Sequence, residues 1–221
     1  MANRSYLYAI DFDMAVERKE DGGRILGLSE YPYSIPLSYL ILVSQSSKLT
    51  HSIIWDYEHP IAIQGIFEKG QQKLTEYLSK LSYENIFEKN ELEKQIAEMT
   101  AFLNDHKLEY ILLECGEIYE MDDGVAEDQN KTLFENDILK IDERLEYYTN
   151  IFKKINSNIL AIKSEIAALS KPKWFFSKLP SADLEKIKVL EEKMKNEEQS
   201  MWDILGINYW DDVLYYDFNS E

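Results

Sequence analysis

Two carboxylates close the first apolar stretch of the chain, where Tyr6-Leu7-Tyr8-Ala9-Ile10 runs into Asp11-Phe12-Asp13. Carboxylates at a strand end can serve as nucleophile or acid/base, and they can equally be a turn or a solvated edge. A second acidic group, Glu117, Glu120, Asp122, Asp123, Glu127 and Asp128, raises calcium. The EF-hand frame needs Gly at its sixth position and Glu at its twelfth. With Gly124 sixth, Tyr119 is first and Asn130 twelfth, so the frame fails. The three histidines, His51, His59 and His106, form no His-Glu-x-x-His pattern, and Walker, G-x-G-x-x-G and G-x-S-x-G motifs are missing. The single cysteine, Cys115, ends an apolar run and reads as a small buried residue. The expectation is therefore a chain with no cofactor and no metal.

The charge is strongly negative and uneven. The chain has 221 residues and a formal net charge of −17, yet 45% of it is apolar and 13% aromatic, which favours a packed core over disorder. From His106 to Asn130 there are eight acids and one base, and from Met201 onward five acids and no base. Lys171 to Leu190 reverses the balance, with five lysines and two acids. Such a charge repels nucleic acid and anionic membranes and attracts basic partners. No apolar run approaches the roughly 18 residues of a membrane span. The start of the chain has no signal-peptide pattern, and one cysteine excludes an internal disulfide. These features together predict a cytoplasmic protein.

The elements expected to position these residues form an α+β arrangement, a small and mostly antiparallel sheet with helices plus a long helical hairpin. Strands are predicted at Ser5 to Asp13, at Ser52 to Trp55 and Ile61 to Ile63 as a hairpin, at Leu108 to Tyr119, and at Asp211 to Phe218. Asp21-Gly22-Gly23 reads as a loop. Helices are predicted after Pro36, from Gly70 to Leu81 and from Asn90 to Asn104. The strongest pattern is Phe134, Ile138, Ile141, Leu145, Tyr148, Phe152, Ile155, Ile159, Ile162, Ile166 and Leu169, a 4-3 alternation without Gly or Pro until Pro172. It predicts an unbroken helix from about Asn130 to Ser170, roughly 60 Å long. A second helix, with its apolar face at Leu184, Ile187, Leu190, Met194 and Met201, begins near Ser181. The division expected is a body over 1–128, the hairpin over 129–204, and a final strand over 205–221 returning to the body. A homodimer through the seam of the long helix competes with the hairpin.

The Asp11-Phe12-Asp13 segment resembles the opening motif of haloacid-dehalogenase-like phosphatases, which implies Asp11 as nucleophile and Asp13 as acid/base. The sequence departs from that family at Ala15, where Thr or Val is usual, and in lacking the Gly-rich continuation. Met1-Ala2-Asn3-Arg4-Ser5-Tyr6-Leu7-Tyr8, with Ser52-Ile53-Ile54-Trp55-Asp56 and Pro60-Ile61-Ala62-Ile63, resembles a group of uncharacterised bacterial proteins that open in the same way. In its acidity and lack of enzymatic motifs the chain is similar to immunity proteins of bacterial toxin systems. That implies a protein that binds a basic partner, a toxin, and occludes its surface. The partner-binding residues expected are Tyr119, Glu120, Asp122 and Asp123 from one acidic stretch and Trp210, Asp211 and Asp212 from the other. The aromatic segment Lys171-Pro172-Lys173-Trp174-Phe175-Phe176-Ser177-Lys178 adds Trp174 and Phe175 as further anchors. The alternative is a phosphatase-like hydrolase using Asp11 and Asp13.

Overall fold

The structure, a computed structural model, describes residues 3–14, 23–171 and 181–218. The fold is α+β. Among the described residues one five-stranded sheet, entirely antiparallel, has the order β2-β1-β5-β4-β3. Its strands are β1 (Arg4–Ile10), β2 (Ile25–Pro32), β3 (Lys48–Thr50), β4 (Ala62–Ile66) and β5 (Tyr110–Glu114). The helices are α1 (Leu37–Val43), α2 (Phe67–Tyr83), α3 (Lys89–Asp105), α4 (Gly116–Tyr119), α5 (Ala126–Leu133), α6 (Ile141–Leu169) and α7 (Ser181–Leu205).

The chain divides into two compact units, Met1–Leu145 with Leu205–Glu221, and Glu146–Ile204. In the first unit β1 and β5 are central, and their side chains are buried on both faces. One face, carrying Ile63, Gly65, Ile111 and Leu113, receives α1. Gly65 and Gly70 both meet α1 backbone, at Val43 and Leu42, with no room for a Cβ. The other face is that of Tyr6, Tyr8 and Leu112. Tyr6, Tyr8, Ile10, Ile25, Ala62 and Leu112 form a core there with Phe12, Met14 and Leu214, and Ile53, Ile54, Trp55, Tyr216 and Phe218 pack against it. Tyr216 stands edge-on to both Tyr6 and Trp55, at 5.3 and 5.8 Å between ring centroids, a favoured aromatic geometry.

Several expected elements fall elsewhere, each for a local reason. The hairpin strand lies at Lys48–Thr50, not Ser52–Trp55, because the Ser52 hydroxyl accepts the Ile54 and Trp55 N–H groups and turns the chain. The β5 strand stops at Glu114, where the Cys115 carbonyl accepts N–H bonds from Ile118 and Tyr119 and starts α4. Among the described residues the tail after Gly206 contains no strand. Gly206, at φ +63°, reverses the chain after α7 in a space a Cβ would fill against Pro36, and its carbonyl accepts the Ser38 hydroxyl at 2.8 Å. The tail then follows β2, with Asp211 N–H donating to Leu28 O at 3.1 Å, and reaches the opposite face, where Tyr8 OH donates to Tyr216 O.

The long helix is not continuous from Asn130. A π turn at Phe134–Ile138, closed by Leu139 N–H to Phe134 O, separates α5 from α6. The reason is an anchorage on the body side: buried Asn130 donates to Pro60 O and Ala62 O, and Tyr77 OH donates to Leu145 O. α6 keeps 29 residues, about 44 Å at 1.5 Å per residue. All eleven heptad positions are buried or half-buried, while the positions between them are mostly exposed. In the second unit Lys163–Glu198 and Lys186–Glu165 ion pairs, at 3.6 and 2.7 Å, set α6 and α7 side by side and antiparallel.

Candidate partner-binding surface

After β5 the chain makes the single turn of α4, an exposed acidic loop, and α5. The loop is fixed by amides: Gln129 Nε2 donates to Tyr119 O at 2.9 Å and Gly124 O at 3.1 Å. Tyr119 OH donates to Asn130 Oδ1 at 2.8 Å, and Asn130 in turn holds the β4 entrance. Tyr119 is consequently 4% exposed: it shapes the loop and offers only an edge to a partner, short of the exposed anchor expected of it. Glu120, Asp122 and Asp123 are exposed, and Glu127 and Asp128 occupy the first turn of α5, where the helix dipole favours anions.

These elements enclose a cleft of about 420 Å³. Asp122, Asp128 and Asp137 supply its charge and Ile118, Val125 and Leu133 its apolar lining. Burial raises the Asp137 carboxyl above its ordinary range, opposed by Arg144 at 2.7 Å. An apolar wall beside the exposed Asp122 and Asp128 carboxylates is the chemistry that accepts a lysine or arginine side chain, stem along the wall and cation toward the acids.

The tail builds a second cleft, of about 490 Å³, against the end of β2. It is lined by Arg4, Glu30, Pro32, Asn208, Tyr209, Trp210, Asp211 and Val213. Arg4 organises it. Its N–H donates to Glu117 Oε2 at 2.8 Å, its Nε pairs with Glu30 Oε1 at 3.1 Å, and its guanidinium lies 5.5 Å from the Tyr215 ring centroid. Glu30 also accepts the Tyr215 N–H at 2.8 Å. Tyr209, Val213 and Tyr215 are exposed, while Trp210 is half-buried near Phe102 with its indole N–H on Ile207 O. Asp212 faces His106 at 3.6 Å.

The residues expected to converge thus line two separate clefts, Asp122 in one, Trp210 and Asp211 in the other. The link between the two stretches is Glu117, which reaches Arg4. Trp174 and Phe175 lie outside the described residues. Arg4 and Glu30 were not singled out by sequence, while Tyr209 and Tyr215 were legible as tail aromatics able to anchor a partner.

Asp11 and Asp13 are each held by a basic side chain. Arg24 donates to Asp11 from its N–H at 2.7 Å and from Nε at 3.0 Å; burial acts against the charged form, but these bonds hold the carboxyl below its ordinary range. Asp13 is paired with Lys48 and accepts from Gln64 Nε2 at 3.3 Å. The sheet that carries them is antiparallel, not the parallel sheet whose carboxyl edge that chemistry uses. Among the described residues no three His, Cys, Asp or Glu side chains are grouped to hold a metal ion, and no helix is long and apolar enough to cross a membrane.

One buried acid stands apart. Glu114, on the same face as Tyr6 and Leu112, is fully buried; it accepts the Ile53 N–H at 2.7 Å, and its Oε2 has no hydrogen-bond partner. Burial pushes its carboxyl up to about 8, with the Ile53 and Ser52 bonds acting the other way. The neighbouring Cys115 thiol is likewise pushed up by burial, which argues against a reactive thiolate.

Among known proteins, a family described as a domain of unknown function, DUF7822, matches residues 13–158, and the chain belongs to that family. No curated protein and no solved structure matches it.

Proposed function

We propose that this member of the family is a non-enzymatic binding protein of the immunity type, one that neutralises a bacterial toxin by covering a basic surface on it. The observation that carries this reading is the cleft between α4 and α5, where exposed carboxylates stand over an apolar wall. A lysine or arginine of the partner enters with its stem against Val125 and Leu133 and its charge near Asp122 and Asp128. Glu120 and Asp123 add to the field around the entrance. The body's charge draws in a basic partner and sets the association rate, while desolvated apolar and aromatic contacts at the clefts, Trp210 and Tyr209 among them, set its lifetime.

The test is co-expression with the product of the adjacent gene. The reading expects that product alone to arrest growth, the wild-type chain to restore it, and an Asp122→Lys/Asp123→Lys variant to restore it poorly. An adjacent product that is harmless, or full rescue by the charge-reversed variant, overturns the reading.

A further inference from the structure

The turn from Ser52 to Trp55 lies over the end of β5, on the face that carries Tyr6, Tyr8 and Leu112. Most of its hydrogen bonds are internal. The Ser52 hydroxyl accepts the Ile54 and Trp55 N–H groups at 3.0 and 2.9 Å, and Trp55 O accepts the Tyr57 N–H at 3.1 Å. It is tied to the sheet through Glu114, which accepts the Ile53 N–H at 2.7 Å with the Ser52 hydroxyl alongside. The rest is packing. Ile53, Ile54 and Trp55 lie half-buried on the core, and the Trp55 ring fills the space over Gly116 that a Cβ would need. Beneath the turn Glu114 has no exposed surface, and its Oε2 has no partner. The groups around it cannot balance a negative charge. Tyr6 on β1 and Ala62 on β4 stand opposite it in register. Its charge acts on Tyr8, Cys115 and Tyr119. Tyr216 of the tail stands edge-on to Tyr6, and Glu117 acts on both. Burial raises the thiol and all of these hydroxyls, so they stay neutral where a carboxyl titrates. Beyond Tyr6, Arg4 pairs with Glu30, and His51 and Asp56, which flank the turn, are exposed.

We propose that the turn from Ser52 to Trp55 is a cover that lifts off the sheet when Glu114 passes its proton to water, and seats again when Glu114 takes one back. A buried carboxylate with an orphaned oxygen and no cation beside it is relieved only by water. The turn is the wall that gives way. β1 and β4, on either side of Glu114, are locked into antiparallel ladders, whereas the turn is held by the carboxyl itself and by side-chain packing. Closed, Glu114 keeps its proton up to about 8; open and hydrated, it releases it near the ordinary value of 4.5. The closed form therefore binds the proton more tightly, and low pH favours it. The open fraction grows as pH climbs from 4.5 to about 8 and levels off above that. Lifting bares Trp55 and the carboxylate together, so pH sets how far this face is open to solvent. The device works whether or not the acidic loop binds a partner.

Amide hydrogen exchange of the full chain, followed by NMR from about pH 5.5 to about pH 8.5, tests this, each rate being divided by that of an unstructured amide at the same pH. The Ile53, Ile54 and Trp55 amides are expected to be less protected than those of β1 and β5. They are expected to lose protection by up to about tenfold per pH unit as pH rises toward 8. Glu114→Gln keeps the side-chain length and an acceptor for the Ile53 N–H but has no proton to lose, so its turn is expected to hold the same protection at every pH. Three results overturn the proposal. One is protection of the turn that does not change with pH. Another is an equal fall in Glu114→Gln. The last is a turn that exchanges in step with β1 and β5 at every pH, which makes the whole body the opening unit. The first and last are read on the unaltered chain.

Discussion

The two units of the chain obey different rules. The body, Met1–Leu145 with Leu205–Glu221, holds 32 acids and 14 bases, a net charge of −18, while Glu146–Ile204 holds 9 acids and 10 bases, a net charge of +1. The body is assembled from strands, short helices and a tail brought together over long sequence separations. The other unit is two helices whose packing follows from spacing alone. Almost all the net charge therefore sits on the unit whose surface is hardest to read from sequence, while the legible unit is close to neutral overall.

The largest expected effect lies in the body. Gly70→Val forces a branched side chain into the backbone of α1 at Leu42, where even a Cβ does not fit. Urea denaturation should show a loss of about 4 kcal/mol or more, or no folded body at all. On α6, Ile159→Asp places a charge at a position that is 4% exposed and should cost roughly 3–4 kcal/mol. The neighbouring Leu160→Asp should change the stability of the dilute protein by under about 0.5 kcal/mol. Equal costs at 159 and 160 would dissolve the distinction between a covered seam and a free outer face.

Next in size is a stabilising change. Glu114, raised to about 8 in the folded protein, binds a proton that the unfolded chain releases near its ordinary value. Its cost is thus absent below about pH 4, grows as pH rises toward 8, and is full above that. Glu114→Gln should raise stability by roughly 3 kcal/mol at pH 8 and by nothing measurable at pH 4, in paired thermal melts. A gain independent of pH would mean that the carboxyl is not titrating in this window. Smallest in stability, and largest in binding, is Asp122→Lys/Asp123→Lys. These side chains are exposed, so melting should move little, while association with a basic partner slows and loses much of its salt dependence, as stopped-flow kinetics would show.

What the sequence revealed follows the same division. The seam was legible because eleven apolar residues, nine of them on α6, repeat without interruption, and the structure buries or half-buries every one. The π turn was not, because it alters hydrogen-bond register without needing Gly or Pro. β2 escaped notice because Gly27, Ser29 and Glu30 dilute its pattern; it is a strand because β1 supplies its ladder. The tail misled in the other direction. Tyr209 to Phe218 has the aromatic density of a strand, but its N–H groups find the Glu30 carboxylate, the Asp211 side chain and a single β2 carbonyl instead of a continuous ladder. The acidic loop was legible as charge, but Tyr119 and Asn130, which fix its shape, become visible only once β4 is beside them.

The path of that tail has one more consequence. β2 is the outermost strand on its side of the sheet, and an open strand edge is a template onto which other chains add strands. Asp211 occupies the Leu28 carbonyl, and the residues after it pass around β2 to the far face. The tail therefore takes up part of that edge, and it can do so only after the last helix has been synthesised and Gly206 has turned the chain back. Until then the β2 edge of a nascent body is open, and proteolytic trimming after Ile207 would reopen it in a protein that had already folded.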